Sequence, residues 1–141
     1  MYRLKDDSLG PPILYLGANV ENVQLEDGSV AWSTTSKEYC CSATKNVEKM
    51  LEMEGTQPLN VFCSKAGEQP YPAPYRPEVD ITKVLGDDLH SRYLQVIGVL
   101  RWAIELVRID IITKVCVLSQ HQCNPREGQL NALYRIFWYL K

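Results

Sequence analysis

Five of the eight prolines fall between residues 56 and 89, at Pro58, Pro70, Pro72, Pro74 and Pro77. Proline lacks a backbone N–H and fixes φ, so this stretch suits neither a helix interior nor a central strand. The run Tyr71-Pro72-Ala73-Pro74-Tyr75-Arg76-Pro77 is expected to be extended or polyproline-like. A loop this long is uncommon inside a compact domain, and the whole of 56–89 is expected to be a connector, draped over the surface or partly disordered. The regular structure must therefore come from what lies on either side.

Before the prolines the pattern is first β, then α. Ile13-Leu14-Tyr15-Leu16-Gly17-Ala18-Asn19-Val20 follows Gly10-Pro11-Pro12, and Val23-Gln24-Leu25 and Val30-Ala31-Trp32 flank Glu26-Asp27-Gly28-Ser29. Asp-Gly between alternating apolar runs predicts a hairpin. A hairpin alone is marginal in water and needs something to pack on. Thr35-Ser36-Lys37-Glu38 has the capping-box pattern and predicts a helix start at Thr35. Tyr39, Ala43, Val47, Met50 and Leu51 recur at helical spacing, and Gly55 is placed to end the helix.

After the prolines the pattern is helical. Tyr93, Val96, Ile97, Leu100, Ala103, Ile104 and Val107 form one apolar stripe. Asp110 is placed to cap a second helix with Ile111, Val115 and Leu118 inward. Asn124-Pro125-Arg126-Glu127 opens a third, with Asn124 as N-cap and Leu130, Leu133, Ile136, Phe137 and Leu140 as its stripe. The expected class is α+β: an N-terminal β-hairpin, then a bundle of about four helices with a proline-rich connector.

At 141 residues one modest core is the expectation. No run approaches the 18 or so apolar residues of a membrane span, and the charged start Met1-Tyr2-Arg3-Leu4-Lys5 has no apolar leader core. An intracellular protein, cytoplasmic or nuclear and not secreted, is expected, with no membrane partner. The five cysteines lack C-x-x-C spacing and read as reduced thiols; His121 and Cys123, one residue apart, lack the usual zinc-ligand spacing. The net charge of −2 is unevenly spread, −6 over residues 1–91 and +4 over residues 92–141. Such asymmetry fits either a surface facing a polyanion or a solvated helical face.

An ordered set of motifs points further. Tyr15-Leu16-Gly17-Ala18, then Asp27-Gly28-Ser29-Val30-Ala31-Trp32-Ser33 and Tyr39, resembles the copia-type retrotransposon reverse-transcriptase stretch that follows the catalytic palm strands. Arg92-Tyr93 through Ile97-Gly98, Leu100 and Trp102-Ala103 is similar to that family's RY-x-x-x-IG-x-L-x-[YW] helix. Arg108-Ile109-Asp110-Ile111 resembles its RPDI, Leu118-Ser119 with Pro125 its LS…P, and Ala132 with Tyr139-Leu140-Lys141 its A-x-x-x-x-x-x-YLK. No single motif is specific; their order is. The sequence departs from the pattern with Ile109 in place of proline and Gln129 where the family often has histidine. It stops at Lys141 where the family usually continues with Gly-Thr, and it has no Tyr-x-Asp-Asp metal motif. Asp6-Asp7 and Asp87-Asp88 follow no Tyr-x pair and read as solvated or capping carboxylates.

The resemblance implies a fragment of a polyprotein, with the rest of that polyprotein upstream and downstream as its natural partners. It implies a primer-grip-like hairpin at the end of the palm over 1–34 and a first thumb-like helix over 35–55. The connector over 56–89 and a three-helix thumb/connection-like segment over 90–141 follow. The parent would be an RNA-directed DNA polymerase using magnesium held upstream; no cofactor and no catalytic residue are expected in this stretch. The expected partner is a primer–template duplex, gripped by Tyr15, Leu16 and Gly17 and by Gly98, Arg101 and Trp102. Gly17 permits close backbone approach, or simply bends a strand. Gly98 and Trp102 share a helix face at i, i+4 spacing, suited either to a minor groove or to close helix packing over a small residue. Arg92, Arg108, Lys114, Arg126 and Arg135 are further phosphate-contact candidates or plain surface charge. The competing readings are a small helical protein–protein interaction module and a non-functional transposon remnant.

Overall fold

The computed structural model describes residues 10, 11, 13–62 and 75–141. Cys63, Asp6-Asp7 and most of the Tyr71–Pro77 run lie outside the described residues. The architecture is α+β, a three-stranded antiparallel sheet followed by four helices. Strands β1 (Leu14–Tyr15), β2 (Ala18–Gln24) and β3 (Val30–Thr35) lie in the order β1-β2-β3. The helices are α1 (Lys37–Met53), α2 (Asp87–Glu105), α3 (Ile112–Ser119) and α4 (Glu127–Leu140).

The expected hairpin is present across Asp27-Gly28. Gly28 has φ +82°, and the Asp27 carboxylate accepts the Ser29 N–H at 2.9 Å, which fixes the turn. A second hairpin precedes it. Leu16 and Gly17 form its two-residue turn with φ of 53° and 97°, the doubly positive geometry that matches strand twist.

One core joins all four helices. Leu51 of α1, Tyr93 and Leu100 of α2, Val115 and Leu118 of α3, and Leu133, Ile136 and Phe137 of α4 are fully buried together. These are the stripes that the spacing predicts, so sequence periodicity located the packing faces. The Tyr93 hydroxyl donates to the Leu118 carbonyl at 2.7 Å, tying α2 to α3 inside the core. Tyr39, half-buried on α1, donates from its hydroxyl to the Val99 carbonyl at 3.0 Å and ties α1 to α2.

The helix starts differ from the expectation. α1 begins at Lys37, and Thr35 offers its hydroxyl only a long 3.4 Å contact from the Lys37 N–H. Thr35 is the last residue of β3, paired with Asn19, so sheet pairing displaces the capping box. Asp110 does not cap α3; it lies in a 3₁₀ turn at Ile109–Ile111 and takes a bidentate ion pair from Arg108, at 2.9 and 2.7 Å. α4 begins after Arg126 rather than Asn124, because Pro125 and Arg126 are used elsewhere. The Pro125 carbonyl accepts the Leu85 N–H at 2.9 Å, and Val84 bridges Arg126.

That bridge revises the connector. Leu59, Pro77 and Leu85 of the 56–89 stretch are buried, and α2 starts at Asp87. Residues 77–86 lie across the start of α4: Thr82 Oγ1 accepts the Gly128 N–H at 2.9 Å, and the Lys83 carbonyl accepts the Glu127 N–H at 3.0 Å. A helix N-terminus has unpaired N–H groups to satisfy, and here a distant segment supplies the acceptors.

Candidate nucleic-acid interface

The six site residues expected from sequence fall into two groups, one in the sheet and one on α2. Tyr15, Leu16 and Gly17 make the β1–β2 turn, with Tyr15 and Leu16 exposed. Gly98, Arg101 and Trp102 lie on the solvent face of α2 together with Leu94 and Glu105. The turn packs at the C-terminal end of α2. A Cβ built on Gly17 would stand 3.7 Å from Leu106 Cδ1 and 3.8 Å from the Tyr39 ring. Leu106 is the buried residue that closes α2, so the β1–β2 turn packs on the end of that helix, about one helical turn beyond Trp102.

No described residue packs on Gly98. A Cβ added there would meet no atom within 4 Å. Helix packing over a small residue requires a neighbour pressed on it, and none of the described residues is. Trp102 on the same face is 40% exposed. The open glycine lies one helical turn from this half-open indole, on a face that also exposes Leu94. Its charge is mixed: Arg101 projects from it, and Glu105 follows four residues on.

The other basic candidates divide. Arg92 pairs with Glu54 at the end of α1. Arg108 is held by Asp110 and lies 5.6 Å from the centre of the Tyr139 ring. Arg126 donates to the Thr82 carbonyl. These three serve the fold, and Arg101 is the basic residue left on the exposed α2 face. Arg135 is partly exposed on α4.

Sequence reasoning missed one feature. An open apolar groove of about 260 Å³ runs between α1 and α2, lined by Tyr39, Ala43, Asn46, Met50, Gln95 and Val99. Tyr39, Ala43 and Met50 belong to the α1 stripe read as core, whereas Asn46, Gln95 and Val99 lie outside both stripes, and the signal of incomplete closure is the half-exposure of Tyr39, Met50 and Val99. Among the described residues no group of three or more His, Cys, Asp or Glu side chains could hold a metal ion. Cys40, Cys41, Cys116 and Cys123 are free thiols. No described helix is long and apolar enough to cross a membrane. Comparison of the chain with protein-family models, with curated proteins and with solved structures gives no match.

Proposed function

We propose that this chain is a piece of a retrotransposon reverse transcriptase whose α2 face and β1–β2 turn grip a primer–template duplex, without polymerising by itself. The observation that carries the reading is the open Gly98–Trp102 face. A mid-helix glycine costs roughly 1 kcal/mol relative to alanine, and no contact within the described chain accounts for it. An outside surface that needs close approach does account for it. The adjacent turn, with Gly17 at φ +97°, supplies backbone that a second chain can reach. Duplex phosphates would be met by Arg101, and the sugar edges by Trp102.

The apolar groove between α1 and α2 supports a second reading, a helical module that binds a protein partner. The two differ in salt dependence. Phosphate contacts release counterions, so duplex binding falls steeply as salt rises, whereas an apolar groove is little affected. Fluorescence anisotropy of a labelled primer–template with the whole chain tests this. Binding visible at low salt, lost at high salt and weakened by Trp102→Ala is expected. Absence of binding at low salt would sink the proposal.

A further inference from the structure

We propose that β3 is a pairing edge and that a second copy of this chain occupies it, the two β3 strands running antiparallel about a twofold axis at Trp32. Among the described residues the order β1-β2-β3 puts β3 on the outside of the sheet. Edge strands are normally blunted by charge, proline or a bulge. Val30-Ala31-Trp32-Ser33-Thr34-Thr35 has no charge and no proline, and it pairs with β2 in unbroken register. Its composition is that of a strand built to be paired.

The hydrogen-bond alternation identifies which groups face the free edge. The Leu25 N–H donates to the Ser29 carbonyl at 2.8 Å, and the Gly28 N–H to the Leu25 carbonyl at 2.9 Å. Counting inward, antiparallel alternation makes Gln24↔Val30, Asn22↔Trp32 and Val20↔Thr34 the non-bonded pairs. A separate bond agrees: the Val20 N–H is spent on the Ile13 carbonyl at 2.9 Å, on the β1 side. The backbone N–H and C=O of Val30, Trp32 and Thr34 therefore point outward.

This pattern is self-complementary. A twofold axis perpendicular to the sheet keeps each face on its own side, so only residues of the same face can stand opposite. Centring it on Trp32 sets Trp32 opposite the second copy's Trp32, and Val30 opposite the second copy's Thr34. Each of these pairs can exchange both backbone bonds. Trp32 is 55% exposed and shares its face with Val30, also exposed, so the pairing covers apolar surface that the monomer leaves in water. Facing indoles across a strand pair attract beyond their buried area. The charges also fit. The acidic Glu26-Asp27 turn of one copy comes beside the start of α1 in the other, where Lys37 stands and Ser36 provides no side-chain cap. Glu38 is also in that first helical turn, but the uncapped N–H groups present a positive end to the incoming carboxylates.

Sedimentation equilibrium of the whole chain over a wide concentration range tests the proposal. A monomer–dimer equilibrium is expected, with an indole exciton couplet in circular dichroism that grows with the dimer fraction. Thr34→Pro deletes an outward N–H and leaves β2 pairing intact, and by symmetry it removes two bonds. It should weaken dimerisation about tenfold or more. Trp32→Lys should do the same by setting two like charges at the axis, and it carries the test if the proline variant does not fold. A chain that stays monomeric throughout, or a dimer that the folded variants leave unchanged, overturns the proposal.

Discussion

Val107, just past the Leu106 cap of α2, has φ +78°, in the left-handed region that a β-branched residue enters only under strain. Its N–H bonds the Ile104 carbonyl at 3.0 Å and the Arg108 N–H bonds Ala103 at 3.1 Å, the paired closure usually made with glycine. Val107 is exposed, so its side chain offsets little of this cost. Val107→Gly should stabilise the fold by roughly 1–2 kcal/mol, read as a rise in the urea midpoint at unchanged slope. Spacing alone implies the opposite, because at position 107 the apolar stripe still counts as helical. Gly98 separates fold from function. Gly98→Ala fills open space and should raise stability by about 1 kcal/mol while weakening duplex binding. If it stabilised the chain and left binding unchanged, the close-approach role of Gly98 would be wrong.

At the scale of elements, the decisive device is residues 77–86 laid over the start of α4. Gln129 is buried, and its side chain both accepts the Arg126 N–H at 2.9 Å and donates to the Pro77 carbonyl at 3.0 Å. Gln129→Leu leaves both partners unmatched and should cost roughly 1–3 kcal/mol in denaturant unfolding. Asp80 anchors the same segment through Tyr75 at 2.6 Å and Thr82 at 2.8 and 2.6 Å. Partial burial raises its carboxyl, but the Thr82 and Tyr75 hydrogen bonds outweigh that and hold it below the usual carboxylate range. Its folded pKa is thus below its unfolded one. Its contribution is present above the unfolded value and is lost as pH falls through the folded one. Asp80→Asn should flatten the acid limb of the stability profile below about pH 4. An identical acid limb in the variant would rule out Asp80 as a contributor. Hydrogen exchange offers a direct view, with the Leu85 amide expected to be protected despite its place in the proline-rich stretch.

For the whole molecule, the core shared by α1, α2, α3 and α4 means that residues 90–141 alone would lose Leu51, Val47 and Leu59 from their packing. Binding experiments therefore require the full chain. The purified chain is expected to show no template-directed nucleotide incorporation with Mg²⁺ or Mn²⁺, since its sequence has no Tyr-x-Asp-Asp pair to hold the metals. Incorporation above a no-protein control would refute this.

Local chemistry determined much of the architecture. Period-3.6 stripes marked the faces of α2, α3 and α4, Asp27-Gly28 marked its hairpin, and Gly55 at φ +62° marked the end of α1. Each of those signals acts within a few residues, so sequence alone carries it. Tertiary structure decided what depends on distant partners. Sheet pairing took Thr35 out of its capping box, and the bridge from Val84 to Arg126 moved the start of α4. Ion pairing holds Arg92 on Glu54, a residue from the far end of α1. The same holds for the candidate site. Sequence placed Gly98 and Trp102 on one helix face, but whether a neighbouring helix covers that face depends on how four helices pack, and no spacing rule fixes that.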